Sequence, residues 1–324
     1  MSAREYGMEA LHLYDGPVID AHHHFWDPIK NDHPWLKPDV LIPFRYGDYT
    51  AIKRPYYPKD YFTDTGSINV VETCYMETEW NPKDPTGESD FITSVARETG
   101  YPNAVVGQAW LHHPDIEDVL AAQSAYTLVR SVRHKPEGPK TPEEVGQCRT
   151  LMSDDTWRKG YALLQKYNLM FDLQTPWWNL PEAVRLANDF PDTTVILNHT
   201  GLPAQRSHEG LAGWHKHMSA LAECENVVVK VSGIGLKDVP WTVESNGWIL
   251  SEVMSMFGPD RILFASNFPV DSLCGTFEEI FHGFMTVASM KGYSYAAQRK
   301  MFHDNCKRIY RTIPPQELKG RIVK

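Results

Sequence analysis

Short apolar, β-branched runs recur between stretches of helical period, and eight are found: Val18 to Ala21, Ile68 to Met76, Ala104 to Leu111, Leu128 to Arg133, Leu169 to Gln174, Thr194 to Asn198, Val227 to Val231 and Ile262 to Ala265. Strands that alternate with helices predict a parallel sheet. Three runs, Val195-Ile196-Leu197, Val227-Val228-Val229 and Ile262-Leu263-Phe264, are continuously apolar, the pattern of strands covered on both faces. The segments between them are amphipathic; Ala183, Leu186, Ala187 and Phe190 fall at i, i+3, i+4 and i+7 on one helical face. Eight such units predict an α/β fold, a closed (β/α)8 TIM barrel with residues 1–324 as one domain. The competing architecture is a doubly wound open sheet. It would favour a Gly-rich loop after the first strand, where this chain has His22-His23-His24-Phe25-Trp26. The stretch from Asp27 to Tyr61, rich in proline and aromatic residues, is too irregular for one element and reads as a lid or wall inserted after the first strand.

Composition narrows the class. Hydrophobic residues make up 42% of the chain and aromatic residues 12%, as in a folded globular protein. A net charge of −9 without a basic stripe argues against a nucleic-acid partner. No run approaches the ~18 apolar residues of a membrane span, and the N-terminal stretch lacks a signal-peptide core, so no membrane partner and a cytoplasmic location are expected. Cys74, Cys148, Cys224, Cys274 and Cys306 form no CxxC pair, which predicts free thiols, mostly in the core, rather than a disulfide framework.

Candidate chemistry gathers at predicted strand ends, where barrel sites are built. In Asp20-Ala21-His22-His23-His24, alternation sends His22 and His24 to one side, where two imidazoles could hold a divalent metal, and His23 elsewhere. An isolated HxH is as often a satisfied polar cluster; its place after the first strand favours function. The sixth strand runs into Asn198-His199-Thr200-Gly201, bringing His199 to the same rim as a third ligand or an acid/base group. Lys230 and Ser232 end the seventh strand and Ala265-Ser266-Asn267-Phe268-Pro269-Val270-Asp271 follows the eighth. Arg130 and Arg133 flank the end of the fourth strand, and an arginine fork there suits an anionic substrate rather than a surface ion pair; alternation separates the two, favouring Arg133. Of the tryptophans near strand ends, Trp26 is the one expected to wall the pocket.

These residues resemble the amidohydrolase-related proteins, and within them the lactonase branch that includes 2-pyrone-4,6-dicarboxylate lactonase, L-fuconolactonase and sulfomuconolactone hydrolase. The resemblance rests on IDAHHHFWDP, the Val-Arg of SVRH, LNHTGLP, VKVSG and GPDRILFASNFPVD, with Asn305 and Tyr310 echoing the family's closing residues. It runs the length of the chain, and the motifs are specific in this order. It implies a TIM barrel and water attack on a carbonyl, commonly of a lactone, with His22, His24 and His199 as the histidine set and Arg133 as the anion-binding arginine. The family's usual general base, an aspartate, falls on Asn267. An amide cannot accept that proton, so the base is sought among His199, Asp271 and Glu77. The resemblance leaves open whether one divalent metal, zinc or manganese, activates the water or whether the enzyme works without one. The expectation is therefore a hydrolase that opens a lactone of a small, anionic molecule. A metal-dependent decarboxylase or lyase and a catalytically inactive small-molecule binder are the alternatives, and a homo-oligomer is left open.

Overall fold

The computed structural model describes residues 12–319. One eight-stranded, all-parallel sheet runs in sequence order: β1 (Val18–His23), β2 (Val70–Met76), β3 (Ala104–Gln108), β4 (Val129–Arg133), β5 (Met170–Leu173), β6 (Val195–Leu197), β7 (Val227–Val231) and β8 (Ile262–Phe264). Helices α1 (Pro58–Asp64), α2 (Gly87–Thr99), α3 (Ile116–Ser124), α4 (Asp155–Lys166), α5 (Leu180–Asp189), α6 (His208–Ala222), α7 (Val243–Phe257) and α8 (Phe277–Met290) alternate with them. This is the (β/α)8 barrel that the apolar runs predict. α5 buries Ala183, Leu186 and Ala187 as expected of its apolar face.

The strands split their side chains between two cores. Outward residues such as Val105, Val129, Phe171, Leu173, Val195 and Val229 pack with the helices. Inward residues are small or slim, among them Ile19, Ala21, Cys74, Ala104, Val106, Ile196 and Val228, as a narrow barrel requires. Burying each large apolar side chain contributes about 1.5–3 kcal/mol. The segment with α9 (Tyr295–Arg299) and α10 (Asn305–Tyr310) seals the end where strands begin. There Asn305 Nδ2 donates to the Pro259 and Ile262 carbonyls, and the Tyr310 hydroxyl enters the barrel to both carboxylate oxygens of Asp172, at 2.9 Å.

Closure between β8 and β1 is made largely by the residues after β8. Asn267 N donates to the His22 carbonyl at 2.7 Å and His24 N to the Phe268 carbonyl at 2.8 Å. Among the described residues no helix is long and apolar enough to cross a membrane. Cys74, Cys224 and Cys306 are buried, Cys274 is partly covered and Cys148 is exposed, all as free thiols.

Candidate active site

β1 carries a bulge: Asp20 pairs with Thr73 and His23 with Tyr75, so three steps of β1 oppose two of β2. One extra residue shifts the side-chain phase. Ala21 and His22 both face the barrel, while Asp20 turns outward to Tyr61 and Ser266, its Oδ2 accepting from both hydroxyls. His23 also lies outside, between Phe25, Tyr61 and Tyr75. His22 stands 5.1 Å from His24 and 4.6 Å from His199, ring centre to ring centre. The three histidines named from the sequence thus meet at the rim.

Two of them, His24 and His199, border a cavity of ≈ 370 Å³, whose lining also includes Trp35, Phe44, Arg45, Thr78, Arg133 and Asn267. Glu79, His199, Leu202 and Asn267 line it with left-handed backbones, φ 56°, 55°, 54° and 56°. Asparagine and histidine adopt that conformation more readily, but Thr200, beside His199, and Leu202 do not; such held strain concentrates at functional sites.

The tautomer of His24 follows from its partners. Its Nδ1 lies 3.0 Å from the Met76 carbonyl and 3.0 Å from Thr78 Oγ1. A carbonyl only accepts, so Nδ1 carries the proton and Nε2 presents a lone pair. Burial first, then Arg133, holds the His24 pKa well below that of an ordinary histidine, so the ring is neutral at neutral pH. Its Nε2 stands 3.3 Å from Asn267 Oδ1. The Asn267 amide is fixed from behind, because Nδ2 donates to Asp271 Oδ1 at 2.6 Å. Asp271 also accepts from the Tyr46 hydroxyl and from Gly233 N, both at 3.0 Å. Burial raises the Asp271 pKa, while Arg45 and the three donors pull it back.

His199 rests its Nδ1 against Ser232 Oγ at 2.9 Å, with its pKa pushed well down by burial and by Arg45. Arg133 is spent on the protein. Its Nε donates to Glu77 Oε1 and its Nη2 to the Glu77 carbonyl, while Nη1 donates to Gln174 at 2.9 Å. Glu77 and Asp271 are therefore buried behind Arg133 and Asn267 and are not among the residues that line the cavity. Lys230 is fully buried, 2.9 Å from Asp172 and over the Tyr310 ring, below the cavity. Arg130 is held by the Tyr310 carbonyl at the opposite end. Trp26 stacks behind His24, at 5.7 Å, with its Nε1 bound to the Ile52 and Arg54 carbonyls.

Sequence reasoning missed Arg45, Trp35, Phe44, Thr78 and Gln174. The first three lie in the segment 27–61 read as a lid or wall, where an arginine among aromatics, Phe44-Arg45-Tyr46, was the available signal.

The donor chemistry around His22 suits a metal: both of its ring nitrogens are buried without a hydrogen-bond partner among the described residues, and burial keeps it neutral by holding its pKa well below the ordinary value. The spacing does not, because no group of three His, Cys, Asp or Glu side chains among the described residues stands close enough together to hold an ion.

Comparison with known proteins agrees with this architecture. The family described as Amidohydrolase matches residues 19–312. The protein y4mH of Sinorhizobium fredii is 36% identical over 92% of this chain and 100% of its own. The L-fucono-1,5-lactonase of Burkholderia ambifaria is 27% identical over 80% of this chain and 82% of its own. The crystal structure of an amidohydrolase from Burkholderia multivorans with bound zinc superposes with a TM-score of 0.75 at 22% identity, covering 92% of this chain and 100% of that one.

Proposed function

The chain belongs to the amidohydrolase family, in its lactonase branch, and from that premise we propose that it opens a lactone of a small, anionic molecule by water attack at the His24–His199 rim. The observation that carries the reading is the meeting of two lone pairs, His24 Nε2 and Asn267 Oδ1, 3.3 Å apart. Neither can donate to the other, so the slot between them selects a molecule that donates to both, and water does so while keeping a lone pair for the cavity.

His24 is then the base. As the water oxygen adds to the lactone carbonyl, its proton passes to His24 Nε2, and Asn267 Oδ1 holds the other hydrogen and the direction of attack. His199 faces the carbonyl; with Ser232 donating to Nδ1, its Nε2–H stabilises the oxyanion. When the ring C–O bond breaks, the proton on His24 returns to the leaving oxygen, giving the hydroxy acid. Asn267 need not accept a proton in this scheme, which accounts for an amide where an aspartate was expected.

His24→Ala and His199→Ala each lower kcat/KM on the true lactone by at least ~100-fold, the scale of losing an acid/base or oxyanion contact. L-Fucono-1,5-lactone and carboxylated lactones form the first panel. Unchanged kinetics in both variants overturns the proposal, and carbon dioxide release without ring opening replaces it with decarboxylation.

The unpartnered nitrogens of His22 favour a second reading, in which zinc or manganese occupies the rim. The rings as they stand lack the spacing, so no step is routed through a metal. Elemental analysis of protein purified without chelators decides: one equivalent lost in His22→Ala establishes that reading, and none in an enzyme that opens a lactone removes it.

A further inference from the structure

Three cations line the cavity, and their partners differ. Arg133 is bound by Glu77, and Lys135 lies 2.9 Å from Glu79. Arg45, contributed by segment 27–61, has only a long ion pair. Its Nη2 stands 3.7 Å from Asp271 Oδ1, beyond hydrogen-bonding range, and the Asp271 oxygens already accept from Asn267, Tyr46 and Gly233. Its Nη1 has no hydrogen-bond partner among the described residues, and the side chain, 28% exposed, lines the cavity. A guanidinium that reaches the cavity with its hydrogen bonds unmade calls for an explanation, and a missing acceptor is the simplest one.

The surroundings are shaped to hold the guanidinium there. Its Cζ lies 4.7 Å from the centre of the Tyr46 ring, a cation–π contact that fixes the plane. Gly233 (φ +60°) makes room from the other side: a Cβ at that position would meet Arg45 Nη2 at 2.8 Å and His199 Nδ1 at 2.4 Å. The missing side chain lets a free guanidinium and a site imidazole approach the same point.

We propose that Arg45 is the specificity-determining anchor of this site, binding a carboxylate of the substrate through the part of its guanidinium that faces the cavity. The inference rests on the lactonase reading and deepens it: the substrate is a lactone that bears a free carboxylate, seated so that its carbonyl faces His24 and His199. A planar fork with a free N–H matches a carboxylate better than a hydroxyl, and a cavity of ≈ 370 Å³ takes a small ring with its acid group. The residue expected from the sequence for this task, Arg133, instead spends its donors on Glu77, Gln174 and Asn198.

Binding of tricarballylate and of its uncharged triamide to the full chain, by isothermal titration calorimetry, tests the assignment without requiring turnover. Wild type takes the acid in preference to the triamide. Arg45→Gln weakens the acid at least tenfold and leaves the triamide unchanged, and Arg45→Lys recovers part of the loss; equal melting temperatures of the three proteins show that the fold is intact. An Arg45→Gln variant that binds the acid as wild type does, or a wild type that takes the acid no better than the triamide, overturns the proposal. Arg45-dependent binding in a protein that opens no lactone overturns the hydrolase reading, and the lactone with it, and upholds Arg45 as the carboxylate anchor alone. If Arg45→Gln lowers kcat equally on neutral and carboxylated lactones without changing affinity for the acid, the residue serves the oxyanion and the anchor is refuted.

Discussion

The two sides of the cavity are built on different terms. On the barrel side, the charged groups are matched within the protein: Arg133 by Glu77, Lys230 by Asp172, and the Asn267 amide by Asp271. On the side supplied by segment 27–61, aromatic rings stack, Trp35 on Phe44 at 5.9 Å and Phe44 against Tyr49 at 4.8 Å, and the Nη1 of Arg45 is left unmatched. Strand-end residues are thus fastened to the stability of the barrel, while the loop side holds its chemistry for a ligand. A change on the barrel side should register in folding or in turnover, and one on the loop side in binding.

The largest effect that could break this contrast belongs to Arg133. Arg133→Met strands the Glu77 carboxylate in the interior and is expected to cost about 3–5 kcal/mol of stability, measured by denaturant unfolding; a loss under about 1 kcal/mol would show that the barrel side is not fastened in this way. Next comes Asp271→Leu, which nearly keeps the shape but removes the acceptor that orients the Asn267 amide. Turnover should fall about 100-fold with KM little changed, the usual result of a misdirected reacting group, whereas an unaltered kcat would mean that the amide is held by something else.

Acid sharpens the comparison further. Burial pushes the His23 pKa down to about 3, against about 6.5 in an unfolded chain, and His22, His24 and His199 are pushed the same way. The unfolded state takes up protons first as pH falls, so stability is lost from about pH 6.5 downward. His23→Phe, which fills the same aromatic niche without titrating, should spare on the order of 2 kcal/mol of the loss between pH 7 and pH 5; an identical acid slope in thermal melts refutes the assignment. The smallest effect lies on the loop side. Trp35→Leu removes one face of the stack and should raise KM about fivefold, near 1 kcal/mol, with the melting temperature almost unchanged.

The eight strands were legible because continuous apolar runs have few other uses in a chain of this size, and the meeting of His22, His24 and His199 followed from where those runs end. The outward turn of Asp20 was not, since a bulge leaves no mark in a six-residue strand and depends on the register of β2. Glu77 and Lys230 read as site candidates because their spacing is right; only the packed barrel shows that one is spent on Arg133 and the other on Asp172. Arg45 escaped notice for the opposite reason. Segment 27–61 has no period to phase its side chains, so the wall could be expected while the residue that matters in it could not.

The seam between β1 and β8 has a bearing on how the protein is made. His24 and Asn267 are 243 residues apart in the chain, and the bonds that bring them together, Asn267 N to the His22 carbonyl and His24 N to that of Phe268, are also the clasp that shuts the barrel. During synthesis the ribosome delivers the imidazoles early and the amide nearly last, so the water-holding slot is absent from every nascent intermediate. A chain halted before Asn267 emerges carries all three histidines but no amide opposite His24 Nε2, and is inert rather than loosely active.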